Sequence, residues 1–328
     1  MNISLMGVWN NANQKREVVP RNYLYASEIG RAKLDVYYSL LGTKPTNPVD
    51  ARLQRIFDAG SAFEWLIKRV MSTAGIMLDE EIVLHTKETE ELLSVHGRAD
   101  MLIGGTPNIK AVQDSEEFKH LPEFLKVKLD AILVYLKDVK EIDPFLTEIK
   151  SVNSMAFWAH KNIDEETGYF KGYEHHMLGQ CTSYMIAGGY EQMRLLYVSR
   201  DDLCLMETNV QKSKWEDRWL NYVQEISYAY KNKIEPEREE DIVFNPEKTS
   251  KFFPKGKWEK NWNIGRSPYL TLITKMTKDE WEDYTDKLVK EKNKEIKDTK
   301  ANRSKNAEND KESNTEEGCE EVNELDEE

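Results

Sequence analysis

The chain has 328 residues, 39% of them hydrophobic and 32% charged, with a formal net charge of −13 at pH 7. That balance suits a globular protein with a sizeable core and a solvated extension. No window approaches the roughly 20 apolar residues that cross a bilayer, and MNISLMGVWNNANQKR lacks a basic region followed by an apolar one, so neither a membrane partner nor a secretory signal is expected.

The cysteines, Cys181, Cys204 and Cys319, are odd in number and widely spaced. That spacing argues against a disulfide framework and against a four-cysteine metal or iron–sulfur site, and makes a reducing cytoplasm the expected compartment. The charge is uneven. Residues 301–328 carry Arg303, Lys305 and Lys311 against eleven acids, so a net of −8 sits in the tail and −5 in everything before it. The overall sign therefore does not argue against a nucleic-acid groove.

Residues 1–24 read as irregular. A helix is expected from Ser27, a plausible N-cap, to about Leu41, where Gly42, Pro45 and Pro48 break it. Over 49–74, Leu53, Phe57, Gly60, Glu64, Ile67 and Met71 recur at alternating steps of four and three, one stripe of a helix. Strands follow at Glu81–Thr86 and Ser94–Ile103, the second ended by Gly104-Gly105-Thr106-Pro107. Residues 108–143 read as an insertion of mixed helical character. A strand at Phe145–Val152 leads through a loop to a helix at about Tyr173–Ala187, closed by Gly188-Gly189. Met193–Ser199 and Leu203–Val210 form a hairpin over Arg200-Asp201-Asp202, and a long helix fills 211–232. The division expected is a core over 25–234, an irregular basic and aromatic segment over 235–276, a charged helix over 277–300, and a disordered acidic tail over 301–328.

Four local patterns carry chemistry. Val-His-Gly-Arg-Ala-Asp ends at Asp100, an acid embedded in an otherwise apolar strand beside Gly97, which permits close backbone approach. Such an acid needs a positive partner unless it faces water on a one-sided strand. On the strand at Phe145–Val152, Glu148 and Lys150 point to one face and Ile149 to the other. If the two strands are neighbours, Asp100, Glu148 and the Ile149 carbonyl offer hard oxygen ligands to Mg²⁺ or Mn²⁺, with Lys150 placed to orient a water or to neutralise charge on a phosphate. Glu64 lies in an apolar helix stripe, either as a further ligand or at the rim of a solvated groove. Gln180 and Tyr184, at i and i+4, share a helix face with His176 one turn earlier, a polar ridge suited to phosphates or base edges.

Taken in this order, the four patterns resemble the PD-(D/E)XK nuclease superfamily, in its RecB-like branch of phage-type exonucleases. The similarity covers roughly 25–200 and includes the opening Tyr25-Ala-Ser-Glu-Ile-Gly-Arg-Ala-Lys-Leu-Asp-Val-Tyr-Tyr38. It implies an α/β fold with a central mixed β-sheet flanked by helices, a restriction-endonuclease-like α-β-β-β-α-β core. It also implies metal-dependent hydrolysis of single- or double-stranded DNA in recombination, repair or phage replication, in a bacterial cytoplasm or that of a phage's host. Asp100, Glu148 and Lys150 would be catalytic, Glu64 an additional acid near the metal, and Gln180 with Tyr184 the helix motif that contacts DNA. Three departures stand out. Ala99 occupies the place of the proline in the superfamily's name, Glu64 that of a histidine common in the branch, and the long stretch 101–147 requires the insertion. The iron–sulfur cluster of some members is not expected, because its cysteines are missing.

Outside that resemblance, residues 250–266 interleave Lys255, Lys257 and other cations with Trp258 and further aromatics. Such a segment suits single-stranded nucleic acid, although the plainer reading, rings packed inward and lysines in water, has the edge. His175 and His176 lack partners for a closed zinc site and read as surface or groove residues. Two rival functions remain at this level: a module of the same fold that binds nucleic acid without cutting it, and a scaffold that docks a protein partner through the acidic tail.

Overall fold

The computed structural model describes residues 18–159, 175–246, 248–250 and 253–316, and the side chains of these except 117, 128, 156, 159, 175, 176 and 300–316. The chain forms two compact units, Met1–Glu237 and Arg238–Glu328. Among the described residues, no helix is long and apolar enough to cross a membrane.

The first unit opens with a short strand β1 (Leu24–Tyr25), a single 3₁₀ turn (Ala26–Glu28) and helix α1 (Lys33–Leu40). The helix expected from Ser27 is therefore split. Gly30 adopts a left-handed φ of 89°, which ends the first turn before Lys33 can start the helix proper. Helix α2 (Ala51–Thr73) follows the periodic stripe, started by the Asp50 carboxylate accepting the Leu53 N–H at 2.7 Å. The next elements are β2 (Met77–His85), β3 (Val95–Gly105), and the inserted helices α3 (Ile109–Asp114), α4 (Glu116–His120) and α5 (Glu123–Leu136). Then come β4 (Ile142–Val152), the short α6 (Ser154–Ala159), α7 (His175–Gly188), the β5 (Gln192–Ser199) and β6 (Leu205–Gln211) hairpin, and α8 (Glu216–Asn232). The helix expected from 211 begins at Glu216 because β6 runs to Gln211 and a 3₁₀ turn intervenes.

These strands make one mixed six-stranded sheet. β3 pairs antiparallel with β2 along one edge; along the other it pairs with β4 at Met101–Gly105 and parallel with β1 at Val95–His96. β4 and β5 are parallel, and β5 and β6 antiparallel. Helices cover both faces. Leu178, Tyr184 and Met185 of α7 and Trp219, Val223 and Ile226 of α8 pack with the N-terminal segment on one side. Ile67 of α2 and Leu129, Leu133 and Leu136 of α5 close the other side over Met101, Ile149 and Val198. The fold is thus the expected α/β class, with the order α2-β2-β3-β4-α7-β5.

In the second unit, the stretch expected to be irregular contains a small hairpin, β7 (Ile242–Asn245) with β8 (Lys257–Lys260), and helices α9 (Trp262–Gly265) and α10 (Leu270–Thr274). Ile264 of α9 and Leu270 of α10 pack with Trp281, which is fully buried at the start of α11 (Lys278–Glu316). The charged helix therefore continues past residue 300 to Glu316, and residues 317–328 lie outside those described.

Candidate active site

A fork in the sheet makes the site. Beyond the Met101–Thr147 pair, β3 and β4 leave the shared ladder, and β3 regains an edge partner only at His96 and Val95, from β1. Backbone groups opened by a fork must find partners elsewhere, and here side chains supply them. The Ile149 N–H donates to Asp100 Oδ2 at 2.6 Å, and the Arg98 carbonyl accepts the Tyr184 hydroxyl at 2.9 Å. Gly97 lies in the same gap. A Cβ there would stand 2.5 Å from the Tyr184 ring and 2.7 Å from Ala26, so only glycine lets α7 approach.

Into this fork point the acids. Glu148 is 2% exposed and Asp100 9% exposed. Glu148 Oε1 accepts from Lys150 Nζ at 2.5 Å and from Gln180 Nε2 at 2.8 Å, whereas its Oε2 is buried without a hydrogen-bond partner. Gln180 Nε2 also donates to the Tyr184 hydroxyl at 2.7 Å. A relay thus runs from the Arg98 carbonyl through Tyr184 and Gln180 to the Glu148 carboxylate. Gln180 and Tyr184, expected to face DNA, are both turned into the fold instead, because the fork's open carbonyl and the buried carboxylate claim their polar ends.

Glu64 faces the same sheet from α2. Lys68, one turn on and almost fully buried, donates to Glu64 at 2.6 Å and pairs with Glu81 of β2, which also pairs with Arg98. Glu64, Glu81 and Asp100 each offer an oxygen within 4.8 Å of the others. Glu81, Lys68 and Arg98 were not picked out from the sequence. Lys68 stands four residues after Glu64 and was legible as its helical partner. Glu81 was hidden by a backbone irregularity, a φ of 56° inside β2 that places it opposite Asp100. A left-handed non-glycine residue inside a strand is costly, and such conformations concentrate at functional sites.

The electrostatics reflect crowding. Burial, and then the charges of Glu148 and Glu64, push the Asp100 carboxyl well above the ordinary carboxylate range. Burial also raises Glu148, against the pull of Lys150. For Lys150, burial acts to discharge the ammonium, but Glu148 and Asp100 outweigh it and the net shift is upward. Burial raises the Glu81 carboxyl, and Lys68 and Arg98 bring it below its usual value.

The donor set fits a hard divalent cation. It consists of oxygens, held on the strands and on α2, with one buried carboxylate oxygen left unsatisfied. With all four carboxylates ionised, as ligation of a cation requires, Glu64, Glu81, Asp100 and Glu148 face three cations (Lys68, Arg98, Lys150), leaving one negative charge. A divalent ion together with one phosphodiester anion brings that count to neutrality.

The remaining residues singled out from the sequence lie elsewhere. The His176 side chain is outside those described. Lys255, Lys257 and Trp258 belong to the second unit. Lys255 is exposed, and Trp258 is half-buried edge-on to Phe244 with ring centroids 5.6 Å apart, its backbone tied to Asn293 of α11.

No protein-family model matches the chain, and no curated protein matches it in sequence. Among solved structures it is similar to SSO0001, at 14% identity over 70% of this chain and 85% of that one, with a TM-score of 0.36. It is also similar to LHK-Exo, an alkaline exonuclease from Laribacter hongkongensis, at 14% identity over 70% of this chain and 94% of that one, TM-score 0.39. The same exonuclease in complex with dAMP gives 15% identity over 65% and 90% of the two chains, TM-score 0.38. Overlaps this loose carry no chemistry across, and what the site can do rests on its own residues.

Proposed function

We propose that this chain is a metal-dependent nuclease that hydrolyses DNA phosphodiester bonds, working as an exonuclease in recombination, repair or phage replication in a bacterial or phage-host cytoplasm. The observation that carries the proposal is the buried Glu148 carboxylate, with one oxygen unsatisfied and Lys150 Nζ 2.5 Å from the other, beside Asp100. A solvated surface pair needs no such burial, and a structural ion pair would leave no oxygen orphaned.

Asp100, Glu148 and the Ile149 carbonyl would hold Mg²⁺ or Mn²⁺, with Glu64 or Glu81 as a further ligand. The ion, when bound, supplies positive charge for the transferring phosphate and for the attacking water. This chain's own residues do the rest. Lys150 holds an ammonium at the fork, where it neutralises charge that develops on the non-bridging phosphate oxygens. Gln180 and Tyr184 fix the Glu148 carboxylate in one orientation, so that no reorganisation is needed during the reaction. Lys68 and Arg98 keep the outer acids from repelling the scissile phosphate.

The test is direct. The purified chain is incubated with end-labelled single- and double-stranded DNA in Mg²⁺, Mn²⁺ or EDTA. Cleavage in either metal and none in EDTA is expected. Binding without cleavage in every condition would leave a non-cutting module. Loss of function on removal of residues 301–328 alone would point to the tail as the working part.

A further inference from the structure

We propose that the open face of β2 and β3 next to the acids is a track for single-stranded nucleic acid, ending in a base-stacking platform built from Tyr25, His85 and His96. The inference rests on the nuclease reading above and specifies the substrate form that the site takes.

Side chains on a strand alternate between faces, so His96, Arg98 and Asp100 share one face of β3. The opposite face, at Val95 and Ala99, packs into the α7 core, with Gly97 pressed against Tyr184. The His96 side of this pair of strands is largely in water: Val83, the partner of Arg98 on β2, is 74% exposed, and the Arg98 side chain is 64% exposed. A strand pair covered by a helix on one face and bare on the other is ordinary at a sheet edge. What is not ordinary is the row at its end. Tyr25 on β1, His96 on β3 and His85 on β2 are aligned across three adjacent strands.

The rings are organised. Tyr23 stacks on His96, with centroids 4.3 Å apart and planes 12° from parallel. Tyr25 stands edge-on to Tyr23 at 5.4 Å, and the Arg21 guanidinium lies 4.5 Å over the Tyr25 ring. His85 lies 5.7 Å from His96. Tyr25 is 44% exposed and His85 is exposed as well, so flat apolar surface with a cation behind it meets solvent. Aromatic rings backed by cations suit unpaired bases, which offer a π face whatever their identity.

Distance sets the register. Four strand residues at about 3.3 Å each place the His96 ring roughly 13 Å from Asp100, the span of about four stacked nucleotides. Arg98 lies between, where a phosphate of the same strand would pass. Base pairs inside a duplex are stacked on both faces and cannot meet the platform, so the row selects unpaired strands and duplex ends.

The test uses the full chain, with oligo(dT) of twelve residues and a closed duplex circle as the probes, by fluorescence anisotropy in EDTA and by cleavage in Mg²⁺. The variants are Tyr25→Ala/His85→Ala, whose side chains are exposed, and Tyr135→Ala, an exposed ring on α5, as the control. The double variant is expected to lose roughly ten- to hundredfold in oligo(dT) affinity while Tyr135→Ala and duplex binding stay at the wild-type level. Unchanged oligo(dT) affinity in the double variant overturns the platform, as does an equal loss on the duplex circle. Wild-type chain that binds oligo(dT) through this row but cuts nothing leaves the platform standing and removes the nuclease reading. Wild-type chain that cuts without measurable oligo(dT) binding does the reverse.

Discussion

Lys68 is the cation around which the outer acids are assembled, and its replacement by methionine tests how they are held. Methionine keeps the length and the apolar stem, so packing in the α2 stripe is conserved. What is lost is an ammonium that pairs with both Glu64 and Glu81. Those two carboxylates and Asp100 have oxygens within 4.8 Å of one another. Two unit charges at that distance interact by about 3.5 kcal/mol at an effective dielectric of 20. Glu64 and Glu81 are about a third exposed, so solvent screens them, and Arg98 still pairs with Glu81. A net loss of about 2 kcal/mol is expected after that discount, a fall of roughly 4–8 °C in the melting temperature for a unit of this size. The assay is thermal unfolding with EDTA and with Mg²⁺. The ion should recover more stability in Lys68→Met than in the wild type, because it takes over the charge that Lys68 supplied. A variant that melts with the wild type in EDTA, or gains no more from Mg²⁺ than the wild type does, would refute the reasoning.

Further outcomes follow from the same geometry. Gly97→Val puts a branched side chain where the Tyr184 ring and Ala26 leave no room, and should cost about 3 kcal/mol or more of stability in denaturant melts. Tyr184→Phe strips the hydroxyl from the Arg98 carbonyl, leaving a part-buried acceptor unpaired at about 1 kcal/mol. It should also lower the cleavage rate with little change in affinity for DNA, since the relay acts on Glu148 rather than on substrate. Glu81 has a folded pKa below its unfolded value, so its pairing stabilises the protein above about pH 4.5 and that contribution is lost as pH falls through the folded value. The stability gap between wild type and Lys68→Met should therefore narrow below pH 4.5, and a gap that widens there would contradict the assignment.

Much of the scaffold was legible in the sequence because long periodic segments report themselves. The α2 stripe, the apolar strand around Asp100 and the hairpin at β5–β6 each follow a period that only one element satisfies. Asp100 and Glu148 each stand in a buried stretch of their strand, Ala99–Met101 and Leu146–Ile149, which is why an acid in each stands out. What the sequence concealed depends on tertiary geometry. The fork between β3 and β4 cannot be seen in either strand alone, and it is the fork that draws Gln180 and Tyr184 inward. Glu81 is masked by a left-handed residue that local propensity disfavours. The split at Gly30 turns on one glycine in a left-handed conformation, which helical periodicity does not register. The hairpin in the second unit has strands of only four residues, too short for a period to register.

The most direct test of the account is single-turnover cleavage of end-labelled DNA by Asp100→Asn and Lys150→Ala beside the wild type, at saturating Mg²⁺. Each variant should fold and bind DNA yet cleave at least about a hundredfold more slowly. Wild-type rates in either variant, or cleavage by the wild type that persists in EDTA, would contradict it.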